Sequence, residues 1–455
     1  MGADGTGKPA GEPSPGPGPG PGPGTPASPV MPAERLARLR EQWVAEQRLR
    51  RLVTKDPAPI PTPAVEQADA RVGVRAGECA PMAVLLGGRR LVNFGANDYL
   101  GLARHPAVLA GAHAALDAYG AGATGSRLLS GNQRIHEQLE TALAALKHQP
   151  RALVFPSGYQ AAVTLLATLA ALYEAPPPML LDRLCHASLI DGAKLAHSRV
   201  QRFKHNDPED LDRYLARHAH AAAPCIVAVE SVYSMDGDAA PLAELHAVCM
   251  RRHAVLVVDD AHATGVVGPA GAGLALECAG DPNVVVLGTL SKALGAQGGF
   301  VAGAEWVVEA LIQTGRGFLF STGLNPAAVG AALAAVRELP RLEAARAHLT
   351  ALRERLLQGL ATLGGDTRTG AGGNGAEAPL SLGSPPVAAI VPFWVGADGA
   401  ALRLAERLAE RGYYVPAVRP PTVPPGTARL RISLSAAHSP EEVDGLVAAL
   451  TAVGA

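Results

Sequence analysis

The chain has 455 residues, of which 48% are hydrophobic and 18% charged, with a formal net charge of −1. That length allows two or three domains around a large core. The balanced charge leaves no footprint for nucleic acid or an anionic membrane surface, and no uncharged apolar run reaches the ~18 residues of a membrane span. Cys79, Cys185, Cys225, Cys249 and Cys278 form no Cys-x-x-Cys pair, so they read as reduced thiols of a cytoplasmic protein, with no disulfide frame and no metal site.

In chain order, residues 1–31 are rich in Pro and Gly and are expected to be a disordered tail. Residues 32–85 follow as an N-terminal helix, with Leu36, Leu39 and Trp43 at helical spacing, and a Pro-rich linker. From 86 to 325 short valine-rich runs alternate with amphipathic helices: "ALVF", "PMLLD", "CIVAVES", "AVLVVDD" and "NVVVLGT" are the expected strands. In "RIHEQLETALAAL", Ile135, Leu139, Leu143 and Leu146 share one face. This rhythm predicts an α/β fold, a large domain built on a mainly parallel sheet covered on both faces. Residues 326–455 predict a smaller C-terminal α+β domain, containing a surface loop at 366–386 and a last helix opened by a Ser439/Glu442 capping box.

Two motifs are decoys. "GAGATG", Gly120 to Gly125, fits a dinucleotide fingerprint, but a helix rather than a strand precedes it. "HEQLE" stops short of the metalloprotease pattern. The chemistry concentrates at strand ends, where ligands sit in open parallel sheets. "VFPSGYQAA" passes through Ser157 and Gly158 into a helix whose free N–H groups can hold a phosphate. His186 follows "LLD", Asp259 and His262 end "LVVDDAH", and Thr289 and Lys292 end "LGTLSK". A lysine, a carboxylate, a flat histidine and a phosphate cradle at neighbouring strand ends suit pyridoxal 5′-phosphate (PLP).

At these residues the chain resembles the α-oxoamine synthases, PLP enzymes that join an amino acid to an acyl thioester with loss of CO2. The match runs from "NFGANDYLGLARHP" through "ESVYSMDGDAAPL" and "GTLSKALGAQGG" to "RPPTVPPGTARLRISLSAAH". The resemblance implies the PLP-dependent transferase fold of type I, with Lys292 as the Schiff-base lysine, Asp259 at the pyridine nitrogen, His262 at the phenolic oxygen and His186 on the ring face. It also implies Gly158, Tyr159 and Thr289 at the phosphate, with Ser234 lining the cofactor. Ser321 and Thr322 are implied to reach the phosphate of a second subunit, so a homodimer with shared sites is expected. Arg50, Arg419, Thr422 and Arg431 fall where the family binds substrate. The branch favoured is the one that takes L-alanine and a pimeloyl thioester; glycine with acetyl-CoA, or a non-catalytic binding subunit on the same fold, are the alternatives.

Overall fold

The computed structural model describes residues 32–45, 83–86, 89–218, 224–362, 386–420 and 422–454. The expected tail at 1–31, Arg50, Cys79 and most of the 366–386 loop lie outside the described residues.

A seven-stranded sheet has the spatial order Arg151–Phe155, Gly299–Gly303, Val284–Thr289, Val255–Asp259, Ile226–Glu230, Met179–Asp182 and Val200–Phe203. Only Gly299–Gly303 runs against its neighbours; the pairs from Val284–Thr289 to the Val200–Phe203 edge are all parallel. The strands alternate strictly between two buried faces, as a period of two requires. Leu153, Phe155, Leu181, Val257 and Val285 pack on one side, beneath helices Gly158–Ala171, Ala187–Leu195 and Glu305–Thr314. Val154, Leu180, Val227, Val229, Val258 and Val286 pack on the other, against helices Arg134–Leu146, Leu242–Arg251 and Pro326–Glu338. Burial on both faces explains why these strands read as continuous apolar runs.

The strand "GFVAG" at 299–303 and the edge strand "VQRF" at 200–203 carry no such run, and the sequence reading passed over both. "GAGATG" is followed by turns and no helix, so the dinucleotide reading has no structural counterpart.

A second, antiparallel sheet of Ile390–Gly396, Ala428–Ser433 and Ala417–Val418 lies towards the C-terminus. Helix Pro440–Ala452 begins with the expected capping box: Ser439 accepts from Glu442 N–H and Glu442 reaches back to Ser439 N–H. A hairpin joins Ala83–Leu86 to Arg89–Asn93, and Arg89–Asn93 pairs in parallel with Tyr413–Tyr414, which ties this part of the chain to its C-terminal part. Among the described residues no helix is long and apolar enough to cross a membrane, and no cluster of His, Cys, Asp and Glu could hold a metal ion.

Candidate active site

Four adjacent parallel strands end in Thr289, Asp259, Glu230 and Asp182. Every one of those last residues is polar and buried, at the sheet edge where such folds bind ligands. A cavity of about 240 Å³ opens there, lined by Gly158, His186, Glu230, Asp259, His262 and Lys292 among others. Drug-sized ligands occupy roughly 300–1,000 Å³, so this space suits one flat ring with a short arm.

Lys292 hangs on a reversal between the antiparallel strands Val284–Thr289 and Gly299–Gly303, closed by Leu290 N–H to Gly298 O at 2.9 Å. Its Nζ lies 2.7 Å from His262 Nε2. Desolvation lowers its pKa to about 8, against the opposing pull of the Asp259 and Glu230 carboxyls. His262 is buried, and its Nδ1 is 2.7 Å from the Tyr99 hydroxyl. Burial, and then the cations Lys292 and Arg431, hold the imidazole well below its usual pKa and therefore neutral.

Tyr99 connects onward. Arg431 places Nη2 3.4 Å from its hydroxyl, donates from Nη1 to Asn97 at 3.0 Å and to Ser433 at 2.8 Å, and from Nε to the Ser234 carbonyl at 2.7 Å.

Asp259 is 8% exposed and accepts Ala261 N–H at 3.0 Å. Burial raises its pKa, with Lys292 opposing. Beside it in register, Glu230 is buried, accepts Ser234 N–H at 3.2 Å and leaves Oε1 without a partner. Burial and the Asp259 charge push the Glu230 pKa well up. His186 is the N-cap of helix Ala187–Leu195; its Nδ1 meets Ser188 Oγ at 2.8 Å, and burial lowers its pKa.

The aminotransferase class I and II family matches residues 89–450. The 8-amino-7-oxononanoate synthase of Anaeromyxobacter dehalogenans is 45% identical over 371 residues, 81% of this chain and 88% of that one. Among solved structures, a serine palmitoyltransferase from Sphingomonas wittichii superposes with a TM-score of 0.75 at 32% identity, covering 92% of this chain and 96% of that one. An SPT structure with PLP gives 0.74 at 31% identity, covering 82% and 90%. The chain belongs to the α-oxoamine synthase family.

As an α-oxoamine synthase it has PLP as the cofactor to test against the cavity, and the residues fit. Ser157 caps helix Gly158–Ala171 by accepting Gln160 N–H at 3.1 Å, which leaves the N–H groups of Gly158 and Tyr159 for an anion. The approach of this helix to the strand ends requires glycine, since a Cβ on Gly299 would lie 2.4 Å from Gly158 Cα. Thr289 stands against Gly158 and is braced by Ser291 Oγ at 2.8 Å and Gly298 O at 3.0 Å. The unpartnered Glu230 oxygen marks the cavity as a place that awaits a polar group.

The α-oxoamine synthase chain thus brings together Gly158, Tyr159, His186, Asp259, His262, Thr289 and Lys292 around one cavity. Tyr159 lies at its rim, half-exposed, with its hydroxyl donating to Asp191 at 3.0 Å. Ser234 and Arg431 sit one step back, behind Glu230 and Tyr99. Arg419 and Thr422 are exposed and do not line the cavity. Nor do Ser321 and Thr322; Thr322 bridges to Ser126 at a corner that also exposes Phe320 and Leu129.

Glu230 and Tyr99 were missed in the sequence. The signal for Glu230 was present, since "IVAVE" ends an apolar run in an acid just as "VLVVD" does. Tyr99 gave none, because its role depends on a contact 163 residues away.

Proposed function

We propose that this protein is an 8-amino-7-oxononanoate synthase, which condenses L-alanine with a pimeloyl thioester, on CoA or a carrier protein, with loss of CO2 and release of the thiol. The observation that carries the reading is the Lys292 amine, enclosed beside a neutral His262 and in the same cavity as Asp259. The identity of 45% to a synthase of that name supports the substrate assignment.

PLP, when bound, supplies a ring that accepts the negative charge developed at the amino acid's α-carbon. Lys292 is the residue to hold it covalently, Asp259 its ring nitrogen, His186 its ring face and His262 its phenolic oxygen. Gly158, Tyr159 and Thr289 take the phosphate, and Ser234 belongs to the cofactor lining from its place behind Glu230. An Asp259 carboxylate at the ring nitrogen has the cationic partner that its burial otherwise lacks.

Once displaced by substrate, the Lys292 amine is poised near neutrality and can take the α-proton. His262 can relay that proton, because its far nitrogen is fixed by Tyr99. The Arg431 guanidinium, already oriented by three acceptors behind Tyr99, is on this reading the group for the amino acid carboxylate. Arg50, Arg419 and Thr422 belong on this reading to the substrate-binding residues. Ser321 and Thr322 complete the phosphate site of a second copy, and the exposed Phe320 and Leu129 at that corner support a homodimer.

Thiol release tests the proposal. Protein loaded with PLP is assayed with L-alanine and a pimeloyl thioester, with glycine and acetyl-CoA, and with L-serine and palmitoyl-CoA. The first pair should turn over fastest; preference for either other pair would overturn the assignment.

A further inference from the structure

A second cluster of buried charge lies directly behind the cavity. His205 follows the edge strand Val200–Phe203, and its side chain is 6% exposed. Its Nδ1 is 2.9 Å from Asp182 Oδ1 and its Nε2 2.9 Å from Asp238 Oδ2. An ionised carboxylate only accepts, so two such partners require a proton on each ring nitrogen.

Each aspartate also organises chain that reaches the active site. Asp182 accepts Leu184 N–H at 2.8 Å and Asn206 N–H at 2.9 Å, which shapes the loop that delivers His186. Asp238 accepts Asn206 Nδ2 at 2.9 Å, and its carbonyl takes Tyr233 N–H at 3.0 Å, closing the turn that carries Ser234. The same turn offers Asp236 to Arg429, two residues before Arg431 on its strand.

We propose that His205 is a positioning residue: as a doubly donating imidazolium it clamps the loop that delivers His186 to the turn that carries Ser234, and so fixes the ring-face side of the site relative to the substrate-carboxylate side. The proposal rests on the cavity being the cofactor site. The groups that face His205 are Asp182, Asp238, the Tyr233 ring, set nearly perpendicular with its centroid 4.3 Å away, and, farther off, Asp236. Burial opposes the charge, but the bonds to Asp182 and Asp238 outweigh it and raise the pKa to about 10.

The test uses the full-length protein loaded with PLP. Side-chain nitrogen NMR of histidine-labelled protein should show both His205 ring nitrogens protonated up to about pH 9, where an ordinary histidine with a pKa near 6.5 has lost its charge. His205→Gln, which keeps one donor, should lower PLP affinity and kcat/KM for L-alanine by about tenfold to a hundredfold. It should also shift the absorbance band of bound PLP. Adding Asp238→Asn should restore part of the loss, because one uncompensated carboxylate is then neutral.

A single ring proton at pH 8 would overturn the proposal. So would a His205→Gln protein that melts earlier yet keeps its PLP affinity, absorbance and KM. Should His205→Gln fail to fold, Asp238→Asn alone must give a smaller loss in the same direction, and unchanged values would count against the clamp. A wild-type protein that takes up no PLP would instead refute the cofactor reading, while the ring protons would still judge the His205 charge.

Discussion

Among the described residues two lysines sit away from bulk water, and they are held in opposite ways. Lys147 is 2% exposed, and its ammonium donates to Asp260 at 2.5 Å, Thr264 at 2.6 Å and the Ala272 carbonyl at 2.6 Å. All three of its protons are used, and Asp260 is itself satisfied by Ser231 Oγ at 2.6 Å. Lys292 lines the cavity, and its amine has one hydrogen-bond partner among the described residues, a neutral imidazole. Desolvation lowers both pKa values, but only Lys147 has a carboxylate in contact to restore its charge. Burial alone therefore does not mark a reactive amine; burial with donors left over does.

The neighbouring acids repeat the contrast, Asp260 locked by Lys147 and Asp259 left facing the cavity.

The comparison breaks most visibly at Lys292. Lys292→Ala should lower kcat for thiol release by about 10⁴-fold or more while leaving the circular dichroism and melting curve near wild type. Asp259→Asn should cost about 10²–10³-fold in kcat with little change in urea midpoint. A Lys292→Ala protein with near-normal turnover would remove the basis for the catalytic reading.

Amine labelling sharpens the difference without any turnover. Lys292 is lowered to about 8, so its neutral, nucleophilic form predominates above that pH in the cofactor-free chain. At pH 8 acylation of Lys292, read by peptide mass spectrometry, should exceed that of exposed lysines by about 10²-fold. Lys147 should stay unlabelled until the protein unfolds.

Stability should respond at the other lysine. Lys147→Met leaves Asp260 buried and unpaired, which should cost about 3–5 kcal/mol in urea unfolding. Thr264→Val removes one of three acceptors and should cost about 1–2 kcal/mol. Equal effects of Lys147→Met and Lys292→Met on the urea midpoint would erase the distinction between the two sites.

What the sequence made legible follows from the same physics. The five named strands announced themselves because both faces are buried, so apolar residues run unbroken from Val255 to Val258 and from Val284 to Leu287. Gly299–Gly303 stayed hidden because its small residues are dictated by what approaches them, Gly158 above all, and close approach leaves no periodic mark. Lys292, Asp259, His262 and His186 were readable as polar residues at the ends of apolar runs. Tyr99 and the His205 cluster were not, since their meaning lies in contacts between segments far apart in the chain, and Arg431 was named only through family likeness. Arg419 and Thr422 came from family likeness alone, and within one chain they remain at the surface.

The reversal between Val284–Thr289 and Gly299–Gly303 has a consequence for assembly. The amine it presents is placed by contacts within about ten residues of chain, and closing so short a loop costs little entropy and little time. The acids and imidazoles around it arrive on separate parallel strands, each needing a long crossover before it can dock. During folding the lysine is therefore shaped early and enclosed late, and until its neighbours arrive it is an ordinary, fully charged surface cation.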